Sequence, residues 1–396
     1  MNGPPEIHLL LACARTSPDL SEEIRIRELL LKGVNWSIVL PWSENHGIMP
    51  LLYINLKKFV PELVPSFVIE SLQNEFLTNA ARNIFLTEEL VQILDLLEKK
   101  RITAVPFKGP ALAMHSYGSL TLRVFSDLDI LLQKQDVLKA KELLFAPGYR
   151  SPHKLRMAQE KALLRFHSEY GLIQQETRTL VELLWRITPR AFPLFLNLRD
   201  FFGRLERTAA EGREIWGLVP EDFILFLCLH GTQHAWERLC WICDLAETIR
   251  REEKIDWELL WIRARKYHCE RMVKLGLFLA WSLLQAPLPQ EIGRKLENDP
   301  FTCNLADKVK ARLFRRNFQP AGISELSRFY MNASDRFCDK MAYWLRLFFT
   351  PTIEDWERFP FPAPFFFLYY LLHPLRIAFK YAAKTKGAQP PFLSIL

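Results

Sequence analysis

Asp127 and Asp129 stand on either side of one leucine in VFSDLDILL (124–132) and run directly into Ile130, Leu131 and Leu132. A carboxylate that leaves water needs a compensating partner. On a strand, period two puts both aspartates on one face, with Cα atoms ~7 Å apart, and turns Leu128 and Ile130 to the other. Such a pair, joined by one more acid, can clamp two divalent ions about 3.5–4 Å apart, and those ions neutralise the charge that burial opposes. Hard carboxylate oxygens favour Mg²⁺ or Mn²⁺. The third acid should lie at the same end of a neighbouring strand. Glu182, inside the apolar run LVELLW (180–185), has that character.

These acids need a sheet to hold them. Ile102–Phe107 reads as a short strand, Lys108-Gly109 as a turn, and Pro110 stands where a helix begins and its missing N–H costs nothing. Ala111–Tyr117 is the expected helix, Val124–Leu132 the second strand, and Asp136–Phe145 a further helix closed by Pro147-Gly148. Glu169–Gln174 and Thr179–Trp185 read as a hairpin around Glu176–Arg178. Before this unit, Ile84, Leu90, Ile93, Leu94 and Leu97 repeat at helical spacing; from Pro220 onward helices dominate again. The expected fold class is α+β: a small mixed sheet at 101–200, between an N-terminal helical region at 1–100 and a C-terminal helical domain at 201–396.

The chain has 396 residues, and its 49% hydrophobic content is enough for more than one core. Seven cysteines form no dense framework, which suits a reducing compartment. MNGPPEIHLL lacks a basic stretch followed by a long apolar one, so no signal peptide is expected, and the location that follows is cytoplasmic. A net charge of +7 is mild and spread out, so it suits an anionic ligand without indicating nucleic acid. FPFPAPFFFLYYLL (359–372) is the one strongly apolar run. It is too short to span a bilayer and reads first as a buried helix, with a weak membrane-surface contact through 365–381 as the alternative.

The order of strand, glycine turn, helix, DLD strand and later acid resembles the nucleotidyltransferase superfamily of the polymerase-beta type. The chain is more closely similar to a branch of uncharacterised nucleotidyltransferase-like proteins. Shared features are Trp36 with HGIMPLLY (46–53), ITAVPFKGPAL (102–112), Arg123 before SDLDILL, VELLWRI (181–187), HGTQHAWERLCWICDLAE (230–247) and LLHPLRIAFKY (371–381). The resemblance implies a nucleotidyltransferase core at 101–200 that moves an NMP from an NTP such as ATP to an acceptor hydroxyl, on a small molecule or a protein, releasing pyrophosphate. It further implies that Asp127, Asp129 and Glu182 are catalytic and hold the metals, with Glu182 orienting or deprotonating the hydroxyl. Lys108, Gly109 and Arg123 would contact phosphates, and His230 and His234 nucleotide or acceptor. The alternative is a catalytically degenerate binding or scaffold protein on the same fold, suggested by Pro110, which cannot donate an N–H.

His230, His234, Cys240 and Cys243 also have metal-ligand types and spacings. On one continuous helix, however, the two pairs are too far apart to close a tetrahedron, which argues against zinc. Asp244 is expected to be a helix-face partner for a basic side chain, and His167 to be structural. Gly-x-Ser-x-Gly, P-loop and dinucleotide-binding patterns are absent.

Overall fold

The computed structural model describes residues 3–189, 192, 194, 196–210, 213–315, 322–359 and 361–384. The fold is α+β, as expected. Its principal sheet has five strands: β1 (Ala104–Pro106), β2 (Asp127–Leu132), β3 (Tyr149–Arg150), β4 (Glu169–Gln174) and β5 (Leu180–Leu184), in the order β1-β2-β5-β4-β3. β2 and β5 run parallel and the other neighbours antiparallel. A separate hairpin, β6 (Glu206–Ala210) with β7 (Arg213–Gly217), was not anticipated from the sequence.

One face of the sheet is covered by the helix Ser66–Lys99. Its second half presents Leu86, Leu90, Ile93, Leu94 and Leu97 to Leu128, Ile130, Leu132, Val181 and Leu183 in one apolar core. Its first half, through Val68 and Leu72, belongs to a second and larger core, built from the N-terminal helices together with the helices after Pro220. The helix ends where Arg101 turns to positive φ and the Ile102 N–H reaches back to the Leu97 carbonyl. That closure satisfies the last turn and lets β1 begin at once.

Polar side chains of the same helix fix the approach to β2. Asn83 Nδ2 donates to the carbonyls of Leu120 (2.6 Å) and Arg123 (2.8 Å), and Asn79 Nδ2 donates to those of Thr121 and Arg123. From the opposite side the helix Leu239–Arg251 grips the same segment: Ser116 Oγ lies 2.7 Å from Thr248 Oγ1. The long interval between the glycine turn and the first aspartate is therefore clamped on both sides.

HGIMPLLY has a definite task. The buried His46 accepts the Leu239 N–H at Nδ1, 3.3 Å away, and its own carbonyl accepts the Cys240 N–H at 3.0 Å. Burial holds this imidazole down to about 4, so it is neutral and Nδ1 can accept. It thus caps a helix whose preceding residue, Arg238, supplies no side-chain cap.

The expectation of one continuous helix over 230–244 is corrected. The helix Pro220–Gln233 stops, and Ala235 and Trp236 both adopt positive φ before the next helix starts at Leu239. Trp236 folds back over Gly231, where a β-carbon would lie 2.4 Å from its ring. The absence of a side chain at Gly231 makes the reversal possible.

The apolar run near the C-terminus is buried only in part. Tyr369 is buried and joins the sheet-side core with Trp356 and Phe366, whereas Phe365, Phe367, Leu371 and Leu375 are exposed. The side chains of 378–381, the end of the 365–381 stretch, lie outside the described residues. Among the described residues no helix is long and apolar enough to cross a membrane.

Candidate active site

β2 and β5 are paired so that Asp129 lies directly beside Glu182, and Asp127 beside Leu180. Neighbours across a ladder point to the same face, so all three acids share one side of the sheet. The same alternation sends Leu131 and Leu184 into the larger helical core, while Leu128, Ile130 and Leu183 enter the other. The acidic face therefore looks toward the helical bundle. Phe107, just after β1, meets Phe226 of the helix Pro220–Gln233 edge-on, with ring centroids 4.7 Å apart.

A fourth acid joins them. Glu169 opens β4 opposite Leu184, and two residues on Gly171 lies opposite Glu182. Glu169 thus shares the acidic face, and its charge bears on Glu182 more strongly than those of Asp129 and Asp127 do. The sequence reading recognised its strand without assigning it to the site. The available signal was period two: Glu169 and Gly171 alternate with the buried Tyr170 and Leu172.

Lys108 is a cation set among these acids. Its ammonium donates to Asp129 Oδ1 at 3.2 Å. Burial pulls its pKa down, but Asp129, then Asp127 and Glu182, outweigh that and raise it, so it stays charged. The acids remain under-compensated. Asp127 is raised by burial and then by Asp129, and Glu169 by burial. Glu182 is pushed up to about 8 by burial, then by Glu169 and Asp129. Glycine at 109 is required twice over: φ is +54°, and a β-carbon there would sit 3.2 Å from the Asp127 carbonyl oxygen. The turn that presents Lys108 is thereby pressed against the first residue of β2.

His230 and His234 stand at the end of the helix Pro220–Gln233, with ring centroids 4.6 Å apart, and Trp241 lies 4.8 Å from His234. Both imidazoles are held neutral, by burial first and by Lys108 second, with His234 lowered to about 3. The pair therefore overlooks the lysine and its acids. Cys243 is turned elsewhere, its Sγ 3.5 Å from the Ala14 carbonyl oxygen.

Arg123 differs from the expected phosphate contact. Its buried guanidinium makes a bidentate pair with Asp244, whose Oδ1 also accepts from Tyr117 Oη at 2.7 Å. Asp244 is thus the helix-face partner that was expected. His167 packs edge-on against Trp356, with ring centroids 5.3 Å apart.

A family model described as "Uncharacterised nucleotidyltransferase" matches residues 32–285. The chain belongs to this nucleotidyltransferase family. No curated protein and no solved structure matches it. The family span contains the whole sheet, the Lys108-Gly109 turn, all four acids, both histidines and the Arg123–Asp244 pair. Within it, the chemistry of the donor set suits a divalent cation: hard, anionic oxygens whose ionisation is opposed by burial and by one another. Among the described residues, no three His, Cys, Asp or Glu side chains are gathered closely enough to hold an ion as they stand. Lys108 instead occupies the position beside Asp129.

Proposed function

We propose that this member of the nucleotidyltransferase family is a metal-dependent transferase that moves an NMP from an NTP to an acceptor hydroxyl. The observation that carries the reading is the register of Asp129 beside Glu182, with Asp127 on the same face and Lys108 paired to Asp129. Asp127, Asp129 and Glu182 would hold Mg²⁺ or Mn²⁺. When bound, such ions neutralise the triphosphate and the charge developing during transfer.

The chain's own groups supply positioning and proton handling. Lys108 is poised to exchange Asp129 for a phosphate oxygen, since both are anionic acceptors for the same ammonium. The Gly109 turn, having no side chain, lets backbone approach the phosphates closely. His230 and His234 are neutral polar groups with an aromatic neighbour in Trp241, suited to a base or an uncharged acceptor. Glu182, in its carboxylate form, takes the acceptor's hydroxyl proton as the acceptor's hydroxyl oxygen attacks the α-phosphorus. The bond between the α-phosphorus and the α,β-bridging oxygen breaks, and pyrophosphate leaves.

The test incubates the protein with each α-labelled NTP, Mg²⁺ and a lysate, then locates the label. Transfer by wild type and its loss in Asp129→Asn is the expected result; equal labelling by both would overturn the reading. The Lys108–Asp129 ion pair also favours a second reading, a nucleotide-binding scaffold in which lysine supplies the countercharge that a metal would. Calorimetry separates the two. NTP binding that ignores Mg²⁺ and survives Asp127→Asn with Asp129→Asn supports the scaffold.

A further inference from the structure

The helix Phe337–Phe349 buries Asp339 and Tyr343, and the side it turns outward is apolar along its whole length. Phe337 is 74% exposed, Met341 46%, Leu345 56% and Phe349 45%, at the spacing of one helical face. It packs against the helix Tyr369–Lys384, where Leu371 (61%) and Leu375 (55%) are likewise exposed. Scattered exposed leucines need no explanation, but an uninterrupted outward stripe on an amphipathic helix calls for a covering surface.

Charge identifies what covers it. The segment's acids are ion-paired: the buried Asp339 with Arg336, the buried Asp355 with His373 and Arg376, Glu354 with Arg376, and the exposed Glu357 with His153. After Glu357 the sequence contains no Asp or Glu, against Arg358, Arg376, Lys380, Lys384 and Lys386. The same stretch is rich in Phe, which suits the buried apolar face of an interfacial helix, and contains Tyr, favoured where hydrocarbon meets headgroups. A protein partner or a second copy would be expected to meet paired charges of both signs. Exposed apolar tips, in a stretch whose only charged residues after Glu357 are basic, complement an anionic lipid surface.

We propose that the outward face of the helix Phe337–Phe349, with the adjoining C-terminal helix, seats the protein on the interface of an anionic bilayer without crossing it. The inference is independent of the transferase reading.

Flotation of the full chain with phosphatidylcholine vesicles, with and without phosphatidylglycerol, tests it. Wild type should float with the anionic vesicles at low salt, release as salt rises, and stay behind with phosphatidylcholine alone. Met341→Glu with Leu345→Glu should lower the floating fraction by about tenfold, with circular dichroism and NTP binding unchanged. The substitutions fall on exposed positions, so the fold is expected to hold; should it not, Lys380→Glu with Lys384→Glu gives the same readout through charge. Wild type that fails to float, or variants that float as well as wild type, would overturn the proposal. A concentration-dependent dimer that the Met341/Leu345 variant abolishes, without vesicle binding, would assign the face to a second copy instead.

Discussion

Arg123 and Asp244 form a buried two-pronged ion pair, Nε to Oδ1 at 2.8 Å and Nη2 to Oδ2 at 3.0 Å. The arginine stands just before the DLD strand and the aspartate on the helix Leu239–Arg251. The pair therefore sets the distance between the acidic face and the helical bundle that overlooks it. Asp244→Ala would strand the guanidinium out of water and should cost about 3–5 kcal/mol. Urea unfolding measures this, and a loss below about 1 kcal/mol, the worth of an exposed pair, would show that water reaches the site.

Asp129→Asn keeps the side chain's size and its place beside Glu182 while removing the charge. Transfer should fall by about a thousandfold or more, with the thermal melting curve little changed. A variant retaining most of its activity would remove Asp129 from the chemistry.

The acids predict a pH dependence of the metal-free protein. Glu182 is raised from the ordinary 4.5 to about 8 by burial, then by Glu169 and Asp129. Between those values the folded chain keeps a proton that the unfolded chain has released, so stability falls as pH rises from about 4.5 to about 8. Urea midpoints measured across that window should decline, and Glu182→Gln should flatten the decline. A midpoint that rises with pH would contradict the raised value.

Gly109→Ala places a β-carbon 3.2 Å from the Asp127 carbonyl oxygen, at a φ of +54°. The expected cost is about 1–2 kcal/mol from backbone strain alone. NTP affinity should drop as well, because Lys108 is displaced with the turn. Calorimetry on the folded variant reads the second effect separately from the first.

Much of the site could be read from residue order. Asp127, Asp129 and Glu182 announce themselves because an acid inside an apolar strand needs a reason, and period two assigns its face. The start of β2 was read too early, at Val124, because β-prone residues precede the aspartates. Asn79 and Asn83 instead hold the preceding carbonyls away from the ladder. Those asparagines are distant in sequence from what they bind, and so is Asp244 from Arg123; periodicity reports faces, not partners. The reversal at Ala235 and Trp236 was missed for a related reason. Neither residue favours positive φ, and it is Trp236 packing over Gly231 that enforces it.

The helix Ser66–Lys99 has one end in each of the two cores. A fragment started at residue 101 would leave Ile130 and Leu183 facing solvent where Leu90 and Leu94 had lain. The sheet with its acids thus borrows part of its shelter from a rod anchored in the bundle. Melting either body should drag the other with it, and the whole should come apart in a single concerted step.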